Sequence, residues 1–138
     1  MHQDEQTAEF LAGVRTIAVV GLSGDPAKDS YQVASYLQSQ GYEIVPVNPN
    51  VHTVLGRPAI GSLREARDRI DLVDVFRRAE AVADIVADAV AIGARGVWLQ
   101  SGITAPSAEQ EAREAGLFVA SGRCLMVEHR RLLAHVQR

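Results

Sequence analysis

The chain has 138 residues, 47% apolar and 22% charged, with 14 Lys and Arg against 17 Asp and Glu for a net charge of −3. That length suits a single domain over residues 1–138, burying roughly 65–70% of the surface its unfolded chain exposes, and the composition is that of a folded globular chain rather than a disordered one. A mildly acidic chain lacks the basic face that nucleic acid requires, so any anionic ligand must be held by a local cluster of donors. No apolar run approaches the roughly 20 residues needed to cross a bilayer, and the polar, acidic start lacks the features of a signal peptide. The lone Cys124 rules out an internal disulfide framework and fits a reducing compartment. The expectation is a soluble cytoplasmic domain with no nucleic-acid or membrane partner; a protein partner or homo-oligomer is left open.

Helix–strand alternation runs the length of the chain. A short helix over about residues 5–12 precedes the first strand, residues 16–22, whose β-branched, wholly apolar run suits a strand covered by helices on both faces. The next helix spans Tyr31 to Gln40, with Tyr31, Val33, Ala34 and Leu37 on one face and Gly41 as its stop. The second strand, Glu43 to Val47, contains Pro46, which lacks a ladder donor and marks a position near an edge or a strand end. A short helix over residues 61–67 is capped by Ser62 with Glu65 completing a capping box. The third strand covers residues 72–76, and a helix runs from about Glu80 to Ile92, stopping at Gly93. The fourth strand covers 96–100, followed by a helix from Pro106 to Ala115. The fifth covers 117–120, and a last helix runs from about Met126 to Val136. This order predicts an α/β fold, a doubly wound, five-stranded parallel sheet of Rossmann-like type with right-handed crossovers and strand order 3-2-1-4-5.

In such a sheet a ligand sits outside the carboxyl ends of the strands. The loop after the first strand carries Gly21, Leu22, Ser23, Gly24, Lys28 and Ser30. Two glycines admit close backbone approach, the following helix directs its positive end there, and a phosphate or pyrophosphate is the natural occupant. The same glycines could simply make the turn, with Asp29 or Ser30 capping the helix. The six-residue dinucleotide fingerprint with three glycines is absent, and Asn48 stands where an NAD site places an acidic residue for the ribose hydroxyls, which disfavours NAD. After the third strand, Arg77 and Arg78 follow Phe76. Paired guanidiniums match phosphate oxygens, although Glu80 or Asp84 could instead neutralise them. Gln100, Ser101 and Gly102 end the fourth strand, and Arg123 and Cys124 follow the fifth on the same rim.

Taken together, residues 20–23, 45–49, Leu55-Gly56, 73–78, 96–100, Arg123-Cys124 and 127–129 resemble the small stand-alone CoA-binding proteins, themselves similar to the CoA-binding domain of the succinyl-CoA synthetase α subunit. The match spans about residues 12–133. The resemblance implies that coenzyme A lies across the carboxyl ends of the sheet. Gly21, Leu22, Ser23, Gly24, Lys28 and Ser30 would hold its phosphates, and Val47, Asn48 and Pro49 would border its adenosine. Phe76, Arg77 and Arg78 would meet the nucleotide, while Gln100, Ser101 and Gly102 would face the pantetheine. The implied role is a non-catalytic carrier, sensor or partner module for CoA or acyl-CoA; an NAD(P)-dependent oxidoreductase or other nucleotide-using enzyme is the alternative.

No catalytic constellation stands out. Ser23 lacks the second glycine of a nucleophile elbow, since residue 25 is Asp25. His2, His52, His129 and His135 show no metal-ligand spacing, and His129 and His135 read as surface or packing residues. Cys124 follows Arg123 near a helix start, both of which favour the thiolate. Beside CoA it could form a mixed disulfide with the pantetheine thiol, or serve simply as a small buried apolar residue.

Overall fold

A computed structural model describes residues 2–133 of the chain. Strands β1 (Thr16–Val20), β2 (Glu43–Val47), β5 (Leu72–Val75), β6 (Gly96–Leu99) and β7 (Phe118–Ala120) form one parallel sheet. A two-stranded hairpin, β3 (Thr53–Val54) with β4 (Arg57–Pro58), stands apart from it. The helices are α1 (His2–Ala12), α2 (Asp29–Ser39), α3 (Val82–Ala91), α4 (Pro106–Glu114) and α5 (Leu125–Leu132). Residues 134–136 of the expected last helix, and His135, lie outside the described residues. The expected helix at 61–67 is a single 3-10 turn, Leu63–Glu65. Ser62 caps it, its Oγ accepting from the Arg64 amide, but the capping box does not close: Glu65 accepts from Gly61 N–H rather than from Ser62 N–H.

The two faces of the sheet are sorted by the alternation of each strand. Ile17 and Val19 of β1 join Leu72, Trp98 and the residues of α1, α2 and α5 in one apolar cluster. Ala18 and Val20 join Val73, Val75, Val97, Leu99 and the residues of α3 and α4 in the other. All four residues of β5 and of β6 are buried, as strands covered on both faces must be. On the first face Arg131 of α5 reaches Asp4 of α1 at 2.8 Å and Glu128 at 2.7 Å, and His129, fully buried, shares a 2.8 Å hydrogen bond with Tyr36 of α2. His129 is therefore a packing residue.

The fold class is the one read from the sequence, but the strand order is β2-β1-β5-β6-β7, not 3-2-1-4-5. In the expected order the second strand would lie between the third and the first; in fact the third, β5, pairs directly with β1. Pro46 gives the physical reason. Its carbonyl accepts from Ile60 N–H on the outer side of β2, and a residue's N–H and C=O point to the same side of a strand. The missing donor of Pro46 therefore faces the edge, where no further strand needs it. An isolated bridge between Val47 and Ile60 covers what remains of that edge. Because the chain moves outward from β1 to β2 and then returns across β1 to β5, the strand order reverses between β1 and β5. The ligand crevice of such a sheet lies at this switch point, flanked by the loops after the first and third strands rather than the first and fourth.

At the other end of the strands, Gly96 leaves room for an aromatic pair. Phe10 and Phe118 stack with centroids 4.3 Å apart, and a Cβ on Gly96 would stand 2.7 Å from Phe10 Cζ and 3.1 Å from the Phe118 carbonyl oxygen. Gly96→Ala is expected to lower stability by about 1–3 kcal/mol through overpacking. Urea denaturation measures it directly, and a variant as stable as wild type contradicts the packing described.

Candidate ligand-binding site

The crevice is built where the β1 loop meets the β5 loop. Gly21, at φ +89°, donates its N–H to Val47 O at 2.8 Å, and Phe76 donates to Val20 O at 2.9 Å. A Cβ on Gly21 would overlap the Phe76 carbonyl oxygen and stand 3.3 Å from Arg77 Nε. The glycine is thus required both by its backbone conformation and by the close approach of the neighbouring loop. Gly21, Phe76 and Arg77 therefore lie together on one rim.

Two cavities open beside Arg77. The larger, about 760 Å³, is lined by Asp29, Gln32 and Val33 of α2, by Phe76 to Glu80, by Gln100 to Ile103, and by Cys124 and Met126 at the start of α5. Its size is that of a small-molecule site. The smaller, about 220 Å³, lies between Val20, Val47, the Gly61–Leu63 turn and the α3 residues Ile85 and Asp88. Arg77 lines both cavities. Of the residues singled out in the sequence, Phe76, Arg77, Arg78, Gln100, Ser101, Gly102 and Cys124 line the larger cavity, and Val47 lines the smaller.

The remaining candidates shape the rim rather than the cavity walls. Leu22 is fully buried in the core, so only its backbone faces the loop, and its carbonyl accepts from Asn48 Nδ2 at 3.0 Å. Asn48 Oδ1 in turn accepts from Asn50 N–H, so the side chain that replaces an acidic residue ties the end of β2 to the β1 loop. Pro49 is exposed just beyond it. Ser30 Oγ accepts from Ser23 N–H at 3.0 Å, and Ser23 Oγ accepts from Asp25 N–H at 3.0 Å. These two hydroxyls order the loop from within, while Gly24 and Lys28 are exposed on it. Lys28 is the N-cap residue of α2, and no side chain caps that helix, leaving the first-turn amides of α2 open to the rim. Arg123 packs its backbone against β6, accepting from Trp98 Nε1 at 3.0 Å, and its guanidinium lies 3.8 Å from Glu128.

The electrostatics are set by which charges are already partnered. Among the described residues, Lys28, Arg77 and Arg78 enter no ion pair, although Glu80 lines the larger cavity with both arginines and Asp84 lines the smaller with Arg77. Beneath the larger cavity lies one buried acid. Asp74 of β5 is fully buried, its Oδ1 accepts from Gln100 Nε2, and its Oδ2 has no hydrogen-bond partner among the described residues. Gln100 Oε1 accepts from Leu125 N–H at 3.4 Å, at the first turn of α5. Burial raises the Asp74 carboxyl from its ordinary 3.8 to about 7, with the Gln100 hydrogen bond pulling the other way.

Residues that sequence reasoning missed have recognisable signals. Asp29, Gln32 and Val33 share one face of α2 by their spacing, and Met126 follows Cys124 by two positions. The 220 Å³ cavity needed the β3–β4 segment and the turn at 61–65 to be placed. That hairpin turns on Leu55 at φ +54° and Gly56 at φ +74°, without the Asn-Gly or Asp-Gly pair that usually marks such a turn.

The comparisons with known proteins agree with this geometry. Residues 15–130 match the family described as CoA binding domain, and the chain belongs to that family. An uncharacterized protein of Bacillus subtilis (strain 168), YneT, is 39% identical over 121 residues, covering 88% of this chain and 90% of that protein. The α subunit of an ADP-forming acetate–CoA ligase II of Pyrococcus furiosus is 29% identical over 107 residues, or 77% of this chain. The match spans only 23% of that subunit's length. Among solved structures, the protein cell-free ID.343 from Thermus thermophilus superposes with a TM-score of 0.90 at 40% identity, covering 94% of this chain and 98% of that one. No described helix is long and apolar enough to cross a membrane.

The raised carboxyl of Asp74 predicts a pH dependence of stability. Between pH of about 4 and 7 the folded chain retains a proton there that the unfolded chain has released. The group's contribution therefore favours folding at low pH and is lost as pH rises toward 7. Asp74→Asn carries no charge, so its stability relative to wild type should increase across that window and level off above it. Urea midpoints of the two proteins at pH of about 4 and 8 check this; a difference that stays constant contradicts a raised, buried carboxyl.

Proposed function

We propose that the chain binds coenzyme A, or an acyl-CoA, across the carboxyl ends of β1, β5 and β6, and serves as a carrier, sensor or partner module without catalysing a reaction of its own. The observation that carries this reading is the contact of Gly21 with Phe76 and Arg77, which sets Arg77, in no ion pair among the described residues, on the saddle between two cavities, with Arg78 beside it lining the larger. A ligand crossing such a saddle needs phosphates at its middle and different groups at its ends. Coenzyme A has that layout. Its adenosine suits the smaller cavity beside Val47, and its pyrophosphate suits the β1 loop and the open first turn of α2. Its ribose phosphate suits Arg77 and Arg78, and its pantetheine suits the larger cavity toward Gln100, Ser101, Gly102 and Cys124. Membership of the CoA binding domain family supports the same ligand.

The non-catalytic role rests on what surrounds the tail. Among the described residues, neither cavity is lined by a histidine, and this reading assigns Cys124 no base of the kind a nucleophilic pair uses. The ligase subunit similar to this chain is about four times the length of the matched segment, and its named reaction belongs to that larger protein. We read residues 1–138 as one binding unit, and the lone Cys124 together with a thiol ligand fits a reducing, cytoplasmic setting.

Binding calorimetry with CoA and dephospho-CoA tests this reading. CoA is expected to bind more tightly by roughly ten- to a hundredfold, the worth of a charge-assisted contact to the ribose phosphate. Arg77→Ala combined with Arg78→Ala should reduce that preference to near unity. At about 100 times its dissociation constant CoA should stabilise the fold by about 2.7 kcal/mol. A protein stabilised by NADP and not by CoA contradicts the proposal.

A further inference from the structure

We infer that Asp74 is a positioning residue for the pantetheine end of the site: it fixes the orientation of the Gln100 amide, and through that amide it seats the first turn of α5 against the larger cavity. The inference rests on the CoA reading above and deepens it.

Asp74 occupies a place where an apolar side chain would pack without difficulty. It is fully buried, and its sheet partners Val19 and Trp98 both belong to the apolar cluster on the α2 and α5 face. A carboxyl there is costly unless it is used. Its observed use is the bond from Gln100 Nε2 to Oδ1. A glutamine amide has one donor end and one acceptor end. With Nε2 committed to Asp74, Oε1 is the end that receives Leu125 N–H. Leu125 opens α5, whose N-cap residue Cys124 makes no side-chain cap of its own. The Gln100 oxygen therefore supplies a partner for one of the amides that a helix start leaves unsatisfied. Gln100, Cys124 and Met126 all line the larger cavity, so the position of this turn sets the wall that a pantetheine would contact.

Without the Asp74 acceptor, the Gln100 amide is free to rotate and bring its NH₂ toward the Leu125 donor. The helix start then loses its partner, and the wall carrying Cys124 and Met126 loosens. The adenosine half would be untouched, because Gly21, Arg77, Arg78 and the α2 start take no part in the Asp74–Gln100–Leu125 chain.

Calorimetry with two ligands, CoA and 3′-phosphoadenosine 5′-phosphate, separates the two halves of the site. Asp74→Leu is expected to weaken CoA by about tenfold, the worth of one buried hydrogen-bonded link, while the affinity for 3′-phosphoadenosine 5′-phosphate stays within about twofold. Asp74→Asn, which keeps an oxygen able to accept from Gln100, should restore CoA affinity to within about threefold of wild type. If Asp74→Leu does not fold, Asp74→Ala removes the same acceptor without added bulk and is expected to give the same tail-selective loss. Equal loss of both ligands, or CoA binding unaffected by either substitution, overturns the inference. Wild-type protein that binds 3′-phosphoadenosine 5′-phosphate and CoA equally well overturns it too, by showing that the tail is not held. Wild-type protein that binds neither removes the CoA reading, and this inference with it.

Discussion

At the reversal of strand order, the loops leaving β1 and β5 come so close that only a residue without a Cβ fits at position 21. The consequences spread outward from that contact. It forces the backbone into the left-handed region at Gly21, and the chain then crosses toward α2 through a loop closed by the hydroxyls of Ser23 and Ser30. On the other side it holds Phe76 and Arg77 at the lip of the crevice. Arg77, beside that contact, lines both cavities. A binding groove with a charged middle is therefore a product of topology as much as of composition.

The charge at that crossing could not come from the chain as a whole, which carries a net −3. It comes from leaving particular cations without partners. Arg15, Arg67, Arg95 and Arg130 also enter no ion pair among the described residues but line neither cavity; other surface arginines are paired, Arg57 with Glu43, Arg64 with Asp88, Arg131 with Asp4 and Glu128. Arg77 and Arg78 are not, although Glu80 and Asp84 are close in sequence. Exposed pairs contribute little to stability, so leaving two arginines unpaired costs the fold little and leaves donors available to an anion. Beneath them the site rests on the opposite arrangement, a single buried carboxyl in the sheet interior whose one hydrogen bond runs to a side chain lining the cavity.

Much of this was legible in the sequence, because the signals were local. Apolar runs of four to seven residues between amphipathic stretches placed all five sheet strands, and glycine stops placed the helix ends. The rim residues followed from a general rule about where α/β sheets bind ligands. What escaped had non-local causes. The strand order depends on which neighbour β5 chooses, and periodicity does not report pairing. Pro46 was compatible with an edge or with a strand end, and only the bond from Ile60 N–H to its carbonyl shows that its missing donor faces the edge. The hairpin at 53–58 turns on Leu55-Gly56, which carries no conventional turn signature, and the smaller cavity stayed hidden with it. Asp74 reads in sequence as one polar residue in an apolar strand, and only the packing of β6 and α5 shows what it holds.

The central claim is that one ligand spans the β1–β5 crossing with its phosphates at Gly21 and Arg77. Titrating CoA into isotope-labelled protein and following backbone amide resonances tests that claim most directly. The account predicts that the largest shifts fall on residues 21–30, 47–48, 61–63, 76–80, 100–103 and 124–126. Shifts confined to the far end of the sheet, around Arg15, Gly41 and Arg57, or the absence of any shift, would contradict it.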